Sequence, residues 1–146
     1  MSSQYTPEQR FWNRAFKTNS CWLWLGPHGR SEYGGISYKG KQYKSHHLAY
    51  ILTHGSRPDG LFILHTCDNP KCVNPDHLYA GTHADNMHDR KRRGRYGKNP
   101  CVATYQLQAE LLARATEQVR RHAAARGISV STAWRRVQSG EETLED

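Results

Sequence analysis

The chain has 146 residues, 36% of them hydrophobic, with 21 Lys and Arg against 13 Asp and Glu, a formal net charge of +8. That length fits one domain or a compact domain with a small appendage, and so modest an apolar share excludes a large uniform core and makes a metal staple a reasonable expectation. The basic excess favours a polyanionic partner, and the sequence contains neither a signal peptide nor a long apolar run, so a soluble chain with no membrane partner is expected.

Residues 5–19 read as a short helix with Phe11, Trp12 and Phe16 on its apolar side, followed by Cys21, Trp22 and Trp24. YGGISYKGKQYKSH, 33–46, reads as a hairpin with its turn at Lys39-Gly40-Lys41 and aromatics on both arms. Residues 47–54 suit a short helix ended by Gly55, and Pro58-Asp59-Gly60 signals a turn. LFILH, 61–65, is a short apolar strand; a loop from Thr66 to His77 follows, broken at Pro70 and Pro75, and LYA, 78–80, is a second strand. Thr82-His83-Ala84-Asp85 is a capping-box pattern for a helix running to about Arg93. GRYGKNP, 94–100, reads as a linker, and 105–126 as a helix in which Leu107, Leu111, Ala115, Val119 and Ala123 recur every four residues. Gly127 ends that helix, a second one covers 131–138, and the acidic end EETLED is expected to fray.

The cysteines are Cys21, Cys67, Cys72 and Cys101. With no sign of secretion, cysteine and histidine close together suggest metal ligation over disulfides. Cys67, Cys72 and His77 stand at intervals of five in a loop otherwise short of apolar residues, where a metal can substitute for a core. Structural zinc takes four thiolate or imidazole ligands, so one must come from elsewhere. Cys21, beside Trp22 and Trp24, is the choice; Cys101, beyond the basic linker, is the alternative, and unliganded or paired loop cysteines are the bland one.

This leaves His65 over. It ends a strand, and Asn86 lies 21 residues later near the start of the helix. If that helix packs across the two strands, the two side chains face each other. An imidazole can take a proton from water, and a magnesium ion held by an oxygen ligand and a phosphate stabilises charge on a leaving oxygen.

LHTCDNPKCVNPDHLYAGTHADNMHD, 64–89, resembles the core of HNH endonucleases, above all the zinc-containing branch related to His-Cys box homing endonucleases. CWLWLG at 21–26, YGGISYKGKQYKSHHLAY at 33–50 and GSRPDGLFILH at 55–65 resemble that branch too, so the likeness spans about residues 11–93. The resemblance implies an α+β chain with a ββα-metal (His-Me finger) core, an N-terminal hairpin region and a zinc-stabilised loop. It implies His65 as general base, Asn86 as ligand of magnesium or manganese, and Cys21, Cys67, Cys72 and His77 as ligands of structural zinc. Asn74 matches the central asparagine, which braces the loop and does no chemistry. Many HNH enzymes place a second metal ligand immediately before the base; here that residue is Leu64, as fits the branch that relies on the asparagine alone.

The implied organisation is a nuclease domain over 1–93, a basic linker over 94–104, a helical region over 105–140 and a flexible acidic tail over 141–146. The implied activity is divalent-metal-dependent hydrolysis of double-stranded DNA, of homing or phage type, leaving 5′-phosphate and 3′-hydroxyl, in the cytoplasm of a phage-infected bacterium. Arg90 and Arg93 fall on the helical face of Asn86, aimed at phosphates, and DRKRRGRYGK, 89–98, with Arg92, makes a basic strap. Lys39, Lys41 and Lys44 on the hairpin suit a ribbon entering a major groove. Arg30 is the candidate arginine near the cleaved strand. AAARGISVSTAWRRV, 123–137, resembles a helix-turn-helix with Arg135 and Arg136 as DNA contacts, although Arg136 occupies a place usually apolar; a helical hairpin that braces the nuclease or forms a dimer contact is the plainer reading. For His46 and His47, a packing role and a functional one stay equally open; His83 and His88 flank Asn86 and default to solvent. The competing functions are a non-catalytic zinc DNA-binding or regulatory protein on the same scaffold and an RNA-directed or toxin-like nuclease; monomer and homodimer both remain open.

Overall fold

The computed structural model of the protein describes residues 4–27, 30, 32–94 and 102–144. Helix α1, Pro7–Asn13, opens with Pro7 in its first turn and a reciprocal capping box between Thr6 and Gln9. It stops short of the expected residue 19 because Ala15–Phe16 (β1) leaves the helix to pair antiparallel with Leu23–Trp24 (β2). Alternation along these two short strands sends Phe16 and Leu23 into one core and Ala15 and Trp24 into another. The β1–β2 ribbon is therefore the wall between two apolar clusters.

Gly35–Tyr38 (β3) and Lys41–Lys44 (β4) form the expected hairpin, in register from Gly35↔Lys44 to Tyr38↔Lys41. Lys39 and Gly40 take φ values of 48° and 77°, the pair of positive angles that a two-residue type I′ turn demands. Just before β3, Gly34 lies against Trp24; a Cβ there would fall 2.1 Å from the indole ring. Ser45–His54 (α2) continues directly from β4. Phe62–His65 (β5) and Leu78–Gly81 (β6) pair antiparallel from Phe62↔Gly81 to His65↔Leu78, so the loop between them leaves and rejoins the sheet at one point. Thr66 N donates to His77 O at 2.8 Å to close it, and a 3-10 turn, Pro75–His77, delivers the chain into β6. Helix α3, His83–Arg92, starts at the predicted capping box of Thr82 and Asp85. β5, β6 and α3 make up the ββα unit of this α+β fold.

One core gathers Phe11, Trp24, Ile36, Leu48, Ile63, Val73 and Leu78 from α1, the ribbon, the hairpin, α2 and the β5–β6 sheet. The other joins Phe16, Cys21, Leu23 and Cys72 to Leu111, Ala115, Val119 and Ala123 of α4, Val102–Arg126, and to Ala133 and Val137 of α5, Val130–Ser139. The four-residue apolar repeat of α4 thus packs on the cysteine side of the N-terminal half. Most of the basic linker, 95–101, lies outside the described residues.

The acidic end does not fray over its described part, 141–144. Glu142 is buried and accepts from His122 Nε2 at 2.6 Å, Arg126 Nη1 at 2.9 Å and Arg136 Nη1 at 3.1 Å, and Leu144 is 4% exposed. One carboxylate shared among basic groups of two helices anchors the segment. Upstream, Asn13 Nδ2 donates to Gly140 O at 3.1 Å and Arg14 Nη2 to Ser139 O at 3.0 Å. Gly140 holds φ 78°, and a Cβ there would fall 2.5 Å from Arg10 O. Gly140→Ala should therefore lower stability by about 1–3 kcal/mol through overpacking and a strained backbone, read by thermal unfolding. An unchanged melting temperature would mean that α5 does not dock on α1 in this way.

Candidate active site and metal centre

The loop over 66–77 lies antiparallel to the segment around β2. Trp24 N donates to Lys71 O at 2.9 Å and Val73 N to Trp22 O at 2.8 Å, with Leu23 bridging Cys72. This pairing carries Cys21 to Cys67, Cys72 and His77, whose ligand atoms all lie within 4.8 Å of one another. Cys21 Sγ and Cys72 Sγ stand 3.6 and 3.5 Å from His77 Nδ1. Tetrahedral zinc with bonds of about 2.3 Å to sulfur and about 2.05 Å to nitrogen would set such pairs about 3.5 Å apart. The donor set fits zinc. Cys67 and Cys72 form no disulfide, and Cys101 lies outside the described residues.

The electrostatics fit a cation as well. Hydrogen bonds from Cys67 and then Cys72 hold the Cys21 thiol down at about 2. The contact with Cys21 pushes Cys67 up to about 11 and Cys72 strongly upward. The protein alone favours one thiolate among three sulfurs; a dication is what makes all three favourable. Asn74 braces the loop: its Oδ1 accepts from Asp76 N at 3.1 Å, its Nδ2 donates to Ser20 O at 2.7 Å, and its backbone N–H reaches Cys72 Sγ at 3.4 Å.

A separate cleft of about 440 Å³ opens beside the end of β5, and both His65 and Asn86 line it. His65 Nε2 meets the carbonyl of Cys72 at 2.9 Å. A carbonyl only accepts, so Nε2 carries the proton and Nδ1 is left with its lone pair. Burial pushes the His65 imidazole below its ordinary value, partly offset by the Cys72 carbonyl. Around it pack Tyr33, ring centroids 6.2 Å apart, and His46, at 4.8 Å. His46 is 3% exposed, its Nδ1 has no protein partner, and burial, then His65, pushes it down to about 2. His47 is pushed down to about 4 by burial, then by Arg57 and Lys44. The cleft is thus lined by imidazoles, by Asn86 of α3, by Lys44, Arg57, Arg90 and Arg93 as basic groups, and by Glu32, Asp68 and Asp89 as acidic ones.

The structure brings together the four ligands of one predicted site and the two residues of the other. It does not gather every predicted basic residue. Lys44 and Arg90 line the cleft, whereas Arg30 is exposed and does not. Lys39 and Lys41 sit at the far end of the hairpin, next to its turn. Arg92 is exposed and bonds Asp89 at 3.1 Å. Arg93 lines the cleft as well, but its guanidinium is held by Asp68, Asp89 and the His65 carbonyl. Arg135 is exposed on α5, while Arg136 pairs with Glu142. Sequence does not mark Tyr33 or Arg57 for this cleft; Arg57 stands in the connection between α2 and the turn at Pro58-Asp59-Gly60.

A family model described as HNH endonuclease matches residues 43–88. That span runs from β4 into α3 and takes in His65, the three loop ligands and Asn86. The chain is 34% identical over 93 residues to Protein 7.7 of Escherichia phage T7, covering 64% of this chain and 72% of that protein. It is 36% identical over 83 residues to Protein 2.8 of the same phage, covering 56% of each. No solved structure matches it significantly.

Metal analysis of the purified protein should find one zinc per chain, lost in Cys72→Ser and kept in His65→Ala. Zinc retained without Cys72, or lost without His65, would contradict the ligand set. His46 and His47 give stability an acid limb. Their folded values lie below the unfolded value of about 6.5, so only the unfolded chain takes up their protons as pH falls. Their contribution is full above about pH 6.5 and declines below it, by roughly 1.4 kcal/mol per pH unit for the buried His46 and by less for the half-buried, solvent-screened His47. His46→Phe should therefore lose less thermal stability than the wild type between pH 7.5 and 5.5 (about these values bracket the window); equal losses would show that His46 is not buried neutral.

Proposed function

The chain belongs to the HNH endonuclease family, and from that premise we propose that it is a divalent-metal-dependent nuclease that hydrolyses phosphodiester bonds of double-stranded DNA, with His65 as general base. The observation that carries the reading is the bond from His65 Nε2–H to the Cys72 carbonyl at 2.9 Å, which leaves Nδ1 as an acceptor in the cleft that Asn86 also lines.

In this reading DNA lies across the cleft with Lys44, Arg57 and Arg90 drawing its phosphates in. His65 Nδ1 takes a proton from water as the water oxygen bonds to phosphorus. The bond from phosphorus to the 3′-oxygen breaks on the far side, and that oxygen takes a proton from solvent, leaving 5′-phosphate and 3′-hydroxyl. Burial disfavours the charged imidazolium of His65, which keeps the base unprotonated near neutrality. Asn86 Oδ1 would hold magnesium or manganese jointly with the scissile phosphate; the ion's role, when bound, is to stabilise charge on the leaving oxygen. Asp68 and Asp89, two of the acidic residues that line the cleft, are engaged by Arg93, which supports Asn86 as the ligand. The Cys₃His cluster would hold zinc with all its donors from protein, a closed site that serves structure.

The two T7 relatives favour a phage setting and hence an infected bacterial cell. Among the described residues no helix is long and apolar enough to cross a membrane.

Incubation with supercoiled plasmid and magnesium should yield nicked or linear DNA. His65→Ala and Asn86→Ala should each lower the rate at least about 10²-fold while keeping zinc. Undiminished cleavage by His65→Ala would rule the mechanism out, and a wild type that binds DNA but never cuts it would favour a regulatory protein on the same scaffold.

A further inference from the structure

Arg93 follows α3 directly, yet its side chain is only 19% exposed, against 70% for Arg92. Its Nη1 donates to the backbone carbonyl of His65 at 3.1 Å and pairs with Asp68, and its Nη2 lies 3.5 Å from Asp89 Oδ2. These acceptors belong to three different pieces of the site: the end of β5, the loop that leaves it, and α3. Asp89 also accepts from Tyr79 OH of β6. Asp68 holds φ 61°, a left-handed conformation that Asp tolerates better than most residues, and in it the carboxylate meets the guanidinium.

We propose that Arg93, which sequence position alone makes a phosphate contact, is instead a positioning residue that fixes the strand carrying His65 against the helix carrying Asn86. The proposal rests on the nuclease reading above and deepens it. Arginine suits the task because its planar fork presents several donors in fixed directions, so one side chain serves three acceptors; lysine offers a single flexible point charge. The contact to β5 is to the carbonyl of the base itself, so a shift there passes directly to the imidazole. A misplacement of about 1 Å between reacting groups can lower a rate by about 10²-fold. Arg90, which lines the cleft and is exposed, is the phosphate-contacting neighbour for comparison.

The test uses the full zinc-loaded chain as wild type, Arg93→Ala, Arg93→Lys and Arg90→Ala. It measures single-turnover cleavage at saturating DNA, DNA affinity across a salt series, and zinc content. Arg93→Ala should keep its zinc and bind DNA within about twofold with an unchanged salt slope, but cut at least about tenfold more slowly. Arg93→Lys should keep binding and recover only part of the rate, and Arg90→Ala should weaken binding and lower the salt slope by about 0.9. The proposal is overturned if Arg93→Ala weakens DNA binding and flattens the salt slope as Arg90→Ala does, while itself cutting at the wild-type saturated rate. It is also overturned if Arg93→Lys cuts at the wild-type rate, and that variant decides should Arg93→Ala fail to retain zinc. If the wild type itself does not cut, the nuclease reading fails. The clamp is then judged by amide exchange in Arg93→Lys: faster exchange over 86–92 supports it, and unchanged exchange overturns it.

Discussion

Cys72 acts at both ends of its own residue. Its sulfur stands 3.5 Å from His77 Nδ1 within the Cys₃His cluster, and its carbonyl oxygen accepts from His65 Nε2 at 2.9 Å. Whatever fixes the loop therefore fixes the imidazole. A loop of a dozen residues with two prolines and little apolar surface cannot hold a carbonyl still by packing alone. It is held by strand-like pairing to the segment after Cys21, by the Asn74 brackets, and by the cluster, which fits a zinc ion. Chemistry and metal scaffold are thus joined through one residue while their side chains stay apart.

The same cluster explains why the C-terminal helices belong to the structure of the site. Cys21 and Cys72 are 1% and 0% exposed, and they share their core with Leu111, Ala115 and Val119 of α4. A chain with this modest apolar share divides its burial between two clusters on opposite sides of the β1–β2 ribbon. The helical pair shields the thiolate side, and Gly140 and Glu142 return the chain end to α1 and α4. What reads as an appendage is a cover over the cysteines.

Much of this is legible in the sequence for local reasons. The strand, loop, strand and helix of 61–93 are marked by apolar runs, by Pro70 and Pro75, and by a capping box that the structure reproduces at Thr82 and Asp85. Counting donors shows that the loop lacks a fourth ligand and leaves Cys21 or Cys101 to supply it; the tryptophans beside Cys21 favour the former. What eludes the sequence is non-local. Arg93 lies on the expected helical face, yet it answers to Asp68, 25 residues upstream, whose left-handed backbone no propensity marks. Glu142 reads as part of a loose acidic tail because its partners His122 and Arg126 lie 20 and 16 residues away on another helix. Helix α1 stops early where Ala15 and Phe16 pair with Trp24 and Leu23, a ribbon that buries Phe16 completely. Arg57 lines the cleft from an irregular connection that has no periodicity to read.

The central claim is that the Cys72 carbonyl selects the His65 tautomer and leaves Nδ1 as the proton acceptor. Long-range proton–nitrogen NMR on histidine-labelled, zinc-loaded protein near neutral pH reports that tautomer directly. The account predicts a neutral His65 ring protonated at Nε2, with an unprotonated Nδ1. A ring protonated at Nδ1, or one exchanging freely between the two forms, would contradict it.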